Sequence, residues 1–336
     1  MNISQLPYLT ALLTAGLSKK KIADVDLAQA DWGVMKPYLV KNDLLNIVSS
    51  AFKAFPEYAK AVAPHSKELV GLSVSNNLER MKHGPVLMKL AMEWTKEGKC
   101  MLGVGGMALD QNYPVANMRG GRTLVCTTLI SDKDTSKTSD FKHEEYDVGP
   151  IHVCHLSTLI PQGDDEASVK AAEVLTEAFF SAPCRKYIAG AVRPNALFTA
   201  LYLLNGAYSQ ITAGTMSIRV VIDWAMIVYA AGSRDKDLDW TVLMEKCEAM
   251  GILSFVKVLT AAAVHLTGVE VPEGAETLNA AKASDVELLL SYALEPMQKP
   301  EASRWEKFTG ILRHHKKYSR VMGVSPVAAA FRALFK

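Results

Sequence analysis

The stretch from residue 100 to 126, CMLGVGGMALDQNYPVANMRGGRTLVC, constrains this chain most. Residues 101–104 are an apolar run fit for a short strand, and Gly105 and Gly106 form a turn. Met107–Asn112 is a helical turn or slightly more, Pro114 closes a loop, and Thr123–Leu129 is a second apolar strand. Strand, glycine pair, helix and strand is an order that builds phosphate sites. The glycines let backbone approach a ligand, and the first helical turn aims unpaired N–H groups at an anion. A tight strand-to-helix turn needs glycine as well, so the same residues also have a purely local reading.

The flanking sequence has a different period. Residues 1–99 read as helical throughout. Asp31 is an N-cap candidate before Trp32, and residues 44–55 set apolar side chains three and four apart. Residues 65–98 form a long stripe of Leu69, Leu72, Leu78, Met81, Leu87, Leu90 and Trp94, kinked at Gly84-Pro85 and stopped by Gly98. The opening MNISQLPYLTALLTAGLSKKK has no basic segment before its apolar run and reads as an amphipathic surface helix, not a signal peptide.

After the central stretch, residues 141–148 and 151–159 pair as a hairpin through Gly149-Pro150, while 131–140 (SDKDTSKTSD) is a polar surface loop. Helical periodicity returns at 167–180, 194–208, 216–231, 239–250, 252–266, 284–294 and 303–322. Asp239 opens one of these helices, Gly251 and Gly268 close two, and Ser284 with Glu287 forms a capping box. The expected fold is therefore α+β, with a sheet of three or four strands (100–163) between an N-terminal helical region (1–99) and a C-terminal helical bundle (164–336).

Composition limits the classes of partner. A net charge of +2 singles out no polyanion, and 21% charged with 49% apolar residues is an ordinary globular balance. The five cysteines are odd in number, scattered and without a CxxC pair, which fits reduced thiols in the cytoplasm. No run approaches the roughly eighteen apolar residues of a membrane span, so no membrane partner is expected.

Several short motifs follow one another in a telling order. They are Asp31-Trp32, residues 40–44 (VKNDL), Phe55-Pro56 and Asn76-Asn77, then Gly105-Gly106, Tyr113-Pro114 and Arg119, then Arg219 with Asp223-Trp224, Asp239-Trp240, residues 250–252 (MGI) and the closing HHKKYSRVMGVSP. In that order they resemble the nucleotidyltransferases of the DNA polymerase β superfamily, in the large helical bacterial type. The resemblance implies a small mixed nucleotidyltransferase sheet whose second strand bears Asp-x-Asp, with a third carboxylate on a neighbouring strand. Together these hold Mg²⁺ against the nucleotide phosphates.

Here the implied carboxylate positions are Thr123 and Val125, and the third is Val153, or His152 after a one-residue slip; His155 matches a family histidine. All the carboxylates are replaced. The resemblance thus implies a nucleotidyltransferase-like protein without catalytic residues or a metal cofactor. It would be a nucleotide- or protein-binding module, with Gly105, Gly106, Arg119 and Arg122 at the nucleotide and Arg122 supplying charge where Mg²⁺ would sit. Two alternatives stand beside it. One is an active Mg²⁺-dependent enzyme with relocated ligands. Asp132 and Asp134 have the required spacing but lie nine residues on, about 30 Å along a strand, and Asp110 near the turn is a poor single ligand. The other is a ligand-free scaffold whose helical regions dock a protein.

Two further groups stand out. His143, His152, Cys154 and His155 cluster in the hairpin, where alternation puts His152 and Cys154 on one face and His155 on the other. At most three can converge on a zinc ion, and ordinary strand residues beside a core are the competing account. Arg313, His314, His315, Lys316, Lys317 and Arg320 form a basic run that either meets phosphates, leaving nucleic acid an open partner, or is a solvated helix end favoured by the macrodipole. No GxSxG, GxxxxGK[ST] or HExxH occurs.

Overall fold

The computed structural model describes residues 1–129, 143–160, 163, 165–188, 190–234 and 237–294, and seven positions between 312 and 321. Six helices come first: α1 (Leu6–Leu17), α2 (Trp32–Lys41), α3 (Leu45–Ala54), α4 (Pro56–Ala61), α5 (Ala63–Met81) and α6 (His83–Lys96). The strands β1 (Cys100–Gly106), β2 (Thr123–Leu129), β3 (Glu144–Val148) and β4 (Ile151–His155) follow. Next come α7 (Glu166–Phe180), β5 (Arg185–Ile188), β6 (Ala191–Arg193), α8 (Ala196–Ala213), α9 (Ile218–Ser233), α10 (Trp240–Ala249), α11 (Leu253–Thr267) and α12 (Ala283–Leu294). The fold is α+β, and among the described residues no helix is long and apolar enough to cross a membrane.

Local chemistry sets most boundaries as read from the sequence. Asp31 Oδ1 accepts from the backbone of Gly33 and Val34, and Asp239 Oδ1 from Thr241 and Val242, so both serve as N-caps. Gly268 closes α11 at φ 65°. The long stripe over 65–98 is two helices, since α5 ends at Met81 and Lys82 separates it from α6, three residues before Pro85.

The N-terminal helix corrects the expectation of a surface location. Nearly all of α1 is buried, from Leu9 through Leu17, and it packs against α3 and α11. Its threonines and glycine interrupt the apolar run without forming a solvated stripe, and a helix that is apolar all round belongs inside. Contact with α3 is so close that a Cβ on Gly16 would lie 2.2 Å from the Ile47 carbonyl oxygen.

The sheet is also larger than expected. Its six strands run in the order β3-β4-β2-β1-β6-β5. β1 pairs antiparallel with β2, β3 with β4 and β5 with β6, while β2–β4 and β1–β6 are parallel. Residues on both sides of position 164 therefore share one sheet. Strands of four and three residues are too short for a period of two to stand out between the helices that flank them.

The two sheet faces meet different layers. Met101, Leu124, Cys126, Ile151 and Val153 pack with Leu87, Leu90 and Ala91 of α6 in a small second core. Leu102, Val104, Val125 and Leu129 join the main core, which runs through the helices on both sides of the sheet in sequence.

Candidate functional site

Gly106 ends β1 at φ +59°, and a Cβ there would sit 2.1 Å from the Thr123 carbonyl oxygen. Only glycine permits this approach of β1 to β2. Gly105 lies opposite Val125 after an irregularity in the register between Gly103 and Gly105. The turn that follows is a six-residue 3₁₀ helix, Met107–Asn112. The helical phosphate cradle expected there is not formed, because so short a 3₁₀ segment has neither the aligned peptides nor the dipole of an α-helix. Its Asp110 turns inward instead, accepting from the backbone N–H groups of Asn117 (2.7 Å) and Arg119 (3.0 Å).

The loop from 113 to 121 is pinned by charge. Arg119 forms a bidentate pair with Asp223 of α9, Nε to Oδ1 at 2.9 Å and Nη2 to Oδ2 at 2.8 Å, and the Tyr113 hydroxyl donates to Asp223 Oδ1 at 2.7 Å. Arg234 donates to the carbonyls of Tyr113 and Pro114 at 3.0 and 2.7 Å. Arg80 adds an ion pair to Asp110 at 3.8 Å. Burial opposes ionisation of Asp223, but the Arg119 and Arg219 guanidiniums and the hydrogen bonds outweigh it and hold the carboxyl below its ordinary range. Burial, reinforced by the Asp223 charge, pushes the Tyr113 phenol well up.

The four residues expected at a nucleotide thus fall into distinct roles. Gly105 and Gly106 lie at the β1–β2 crossover, Arg119 is consumed by Asp223, and Arg122 is exposed at the start of β2 with Nη1 3.9 Å from Asp147 Oδ1. Arg219 adds an unanticipated cation. Its Nη1 and Nη2 are buried without a hydrogen-bond partner, and Nη2 lies 3.4 Å from where a Cβ on Gly120 would be.

Register decides which strand positions share a face. Thr123 lies opposite His152, and Val125 opposite Cys154. On the next strand Asp147 lies opposite His152, and Glu145 opposite Cys154. Thr123, Val125, His152, Cys154, Glu145 and Asp147 therefore share one face. Val153 points the other way, fully buried against α6. Of the two positions the resemblance implied for a third carboxylate, His152 shares the face of Thr123 and Val125, and Val153 does not.

The alternation expected of the hairpin holds. His155 is buried on the α6 side, edge-on to Trp94 with ring centroids 5.2 Å apart and 3.0 Å from Thr128 Oγ1, and burial lowers its pKa. His152 Nδ1 meets Asp147 Oδ1 at 3.1 Å, and its Nε2 lies 3.7 Å from Glu145 Oε2. His143 Nε2 is 3.5 Å from Glu145 Oε1, and ligand atoms of His143, Glu145 and Cys154 lie within 4.8 Å of one another. Burial, with Glu145 beside it, raises the Cys154 thiol. Burial and the neighbouring Cys154 also push the Tyr202 phenol of α8 up to about 12.

Glu145 and Asp147 were not among the expected site residues. Their signal was present in the sequence as two acids one residue apart in a predicted strand, but only the register reveals that they face His152 and Cys154. Asp132 and Asp134 lie outside the described residues, as do His314 and His315 of the basic run. Arg320 of that run pairs with Asp285 at 2.6 Å.

No family model, curated protein or solved structure matches this chain.

Proposed function

We propose that this chain is a nucleotidyltransferase-like protein that binds a nucleotide, or a protein in its place, without catalysing transfer. The observation that supports this reading is the parallel pairing of β2 with β4. It aligns Thr123 and Val125 with His152 and Cys154 on one face, beside a glycine crossover, with no carboxylate on either strand at those positions. In a transferase sheet that face would hold Mg²⁺ on paired acids. Here the exposed charge nearest the strand start is Arg122, a cation that can meet phosphate directly. Arg119 acts at one remove, tying the loop that precedes β2 to α9 through Asp223.

A second reading, an active Mg²⁺-dependent transferase with relocated ligands, draws on one observation: Glu145 and Asp147 sit on the same face, one strand beyond β4. Two strand spacings put their backbones about 10 Å from β2, and Asp147 already faces the Arg122 cation at 3.9 Å, so the binding module is the better account. Arg122→Ala tests it. Loss of nucleotide affinity, read by fluorescence polarisation of a labelled nucleotide triphosphate, supports the proposal, and unchanged affinity ends it.

A further inference from the structure

The β3–β4 hairpin gathers four side chains of metal-ligating type on one face, outside the glycine crossover. We propose that His143, Glu145, His152 and Cys154 bind a zinc-class divalent cation, with Asp147 positioning His152.

Geometry is the first argument. Tetrahedral zinc at about 2.0–2.3 Å from its N, O and S ligands spaces those atoms about 3.3–3.8 Å apart. Glu145 sets one oxygen at such a distance from each imidazole, Oε1 at 3.5 Å from His143 Nε2 and Oε2 at 3.7 Å from His152 Nε2. The ligand atoms of His143, Glu145 and Cys154 already lie within 4.8 Å of one another, and His152 borders this group through Glu145 Oε2.

Ligand chemistry is the second. A thiol, two imidazoles and one carboxylate form a mixed soft and borderline set, which suits zinc and disfavours Mg²⁺ or Ca²⁺, both of which take oxygen. Zinc would displace the Cys154 proton, so binding releases H⁺ and weakens in acid.

The outer contact is the third. Asp147 Oδ1 meets His152 Nδ1 at 3.1 Å, which leaves Nε2 turned towards Glu145. A carboxylate behind a histidine fixes the tautomer and raises the basicity of the ligating nitrogen. His155, on the opposite face with its ring against Trp94, takes no part. None of the four ligands is Gly105, Gly106, Arg119 or Arg122, so zinc binding is read separately from nucleotide affinity; the one link is Asp147, whose Oδ1 also lies 3.9 Å from Arg122 Nη1.

Titration of the full chain with Zn²⁺ alone, followed by calorimetry and by competition with a chromophoric chelator, tests the proposal. It predicts one ion per chain. With Co²⁺ as the probe it predicts the intense visible bands of a tetrahedral ion and a near-ultraviolet thiolate-to-cobalt band. Cys154→Ser removes that band, and Asp147→Asn weakens binding about 10–100-fold. Cys184→Ser leaves both unchanged. His143→Ala, at a half-exposed side chain whose loss cannot unfold the chain, weakens binding at least about tenfold. Absence of stoichiometric binding, a six-coordinate Co²⁺ spectrum without the thiolate band, or full affinity in His143→Ala would each overturn it.

Discussion

The buried Arg119–Asp223–Tyr113 cluster ties the loop between β1 and β2 to α9, and its removal is the sharpest stability test of this fold. Asp223→Asn keeps the side-chain shape, leaves Arg119 charged and uncompensated, and sets an amide N–H where Arg119 Nη2 now finds an acceptor at 2.8 Å. Side-chain exposures of 12% and 5% leave little solvent to screen the stranded cation. Breaking one partner of such a pair costs about 3–5 kcal/mol, and Arg219, also near Asp223, places the result towards the upper end. At about 2 °C per kcal/mol for a chain of this length, Tm falls by about 6–10 °C. Urea denaturation supplies the free energy, and Arg119→Met with the double variant completes a cycle. The double variant should lose less than the two singles together by at least about 1 kcal/mol. A loss below about 1 kcal/mol in Asp223→Asn, or strict additivity, would refute the reasoning. The pH dependence follows from the same group. Its folded pKa is depressed, so its contribution is complete above the unfolded value of about 3.9 and disappears as pH falls through the lower folded value. Asp223→Asn should flatten the stability profile in that acid window.

Other outcomes are equally specific. Gly106→Ala should cost about 1–3 kcal/mol by denaturation, since it adds left-handed strain to a clash with the Thr123 carbonyl. Gly105→Ala, with only the Val125 side chain at 3.3 Å and no positive φ, should cost less than half as much. Burial first, and then the Arg80 charge, holds His83 below its ordinary pKa. Its contribution is therefore present above about pH 6.5 and is lost as pH falls through the folded value, and His83→Gln should remove that slope from a pH series of Tm. Trp224→Phe removes the 2.9 Å bond from Nε1 to Thr260 Oγ1 in the main core and should lower stability by about 1–3 kcal/mol in the same assay.

Much of this architecture is legible in the residues alone because local chemistry fixes it. Asp31 and Asp239 cap the helices they start, Glu144–Val148 and Ile151–His155 pair as a hairpin at Gly149, and alternation separates His152 and Cys154 from His155. What escapes the sequence is decided by neighbours far along the chain. The α1 helix looks amphipathic until α3 and α11 close over its polar-looking side. β5 and β6 are too short to announce themselves, and become strands because β1 offers Met101 and Leu102 as a parallel edge. Arg119 looks like a free phosphate ligand from its place after Tyr113-Pro114, yet Asp223, more than a hundred residues away, claims it. Glu145, Asp147 and the orientation of Val153 depend on strand register, which composition and spacing do not specify.

The central claim, nucleotide binding by a site without metal-ligating acids at Thr123 and Val125, is tested most directly by calorimetric titration of the chain with ATP, GTP, CTP and UTP, each with and without Mg²⁺. The account predicts saturable binding of at least one nucleotide whose affinity is unchanged when Mg²⁺ is withheld. Binding that requires Mg²⁺ would contradict it and turn attention to Glu145 and Asp147, and no binding of any of the four would leave the helical regions as the surface to explore for a protein partner.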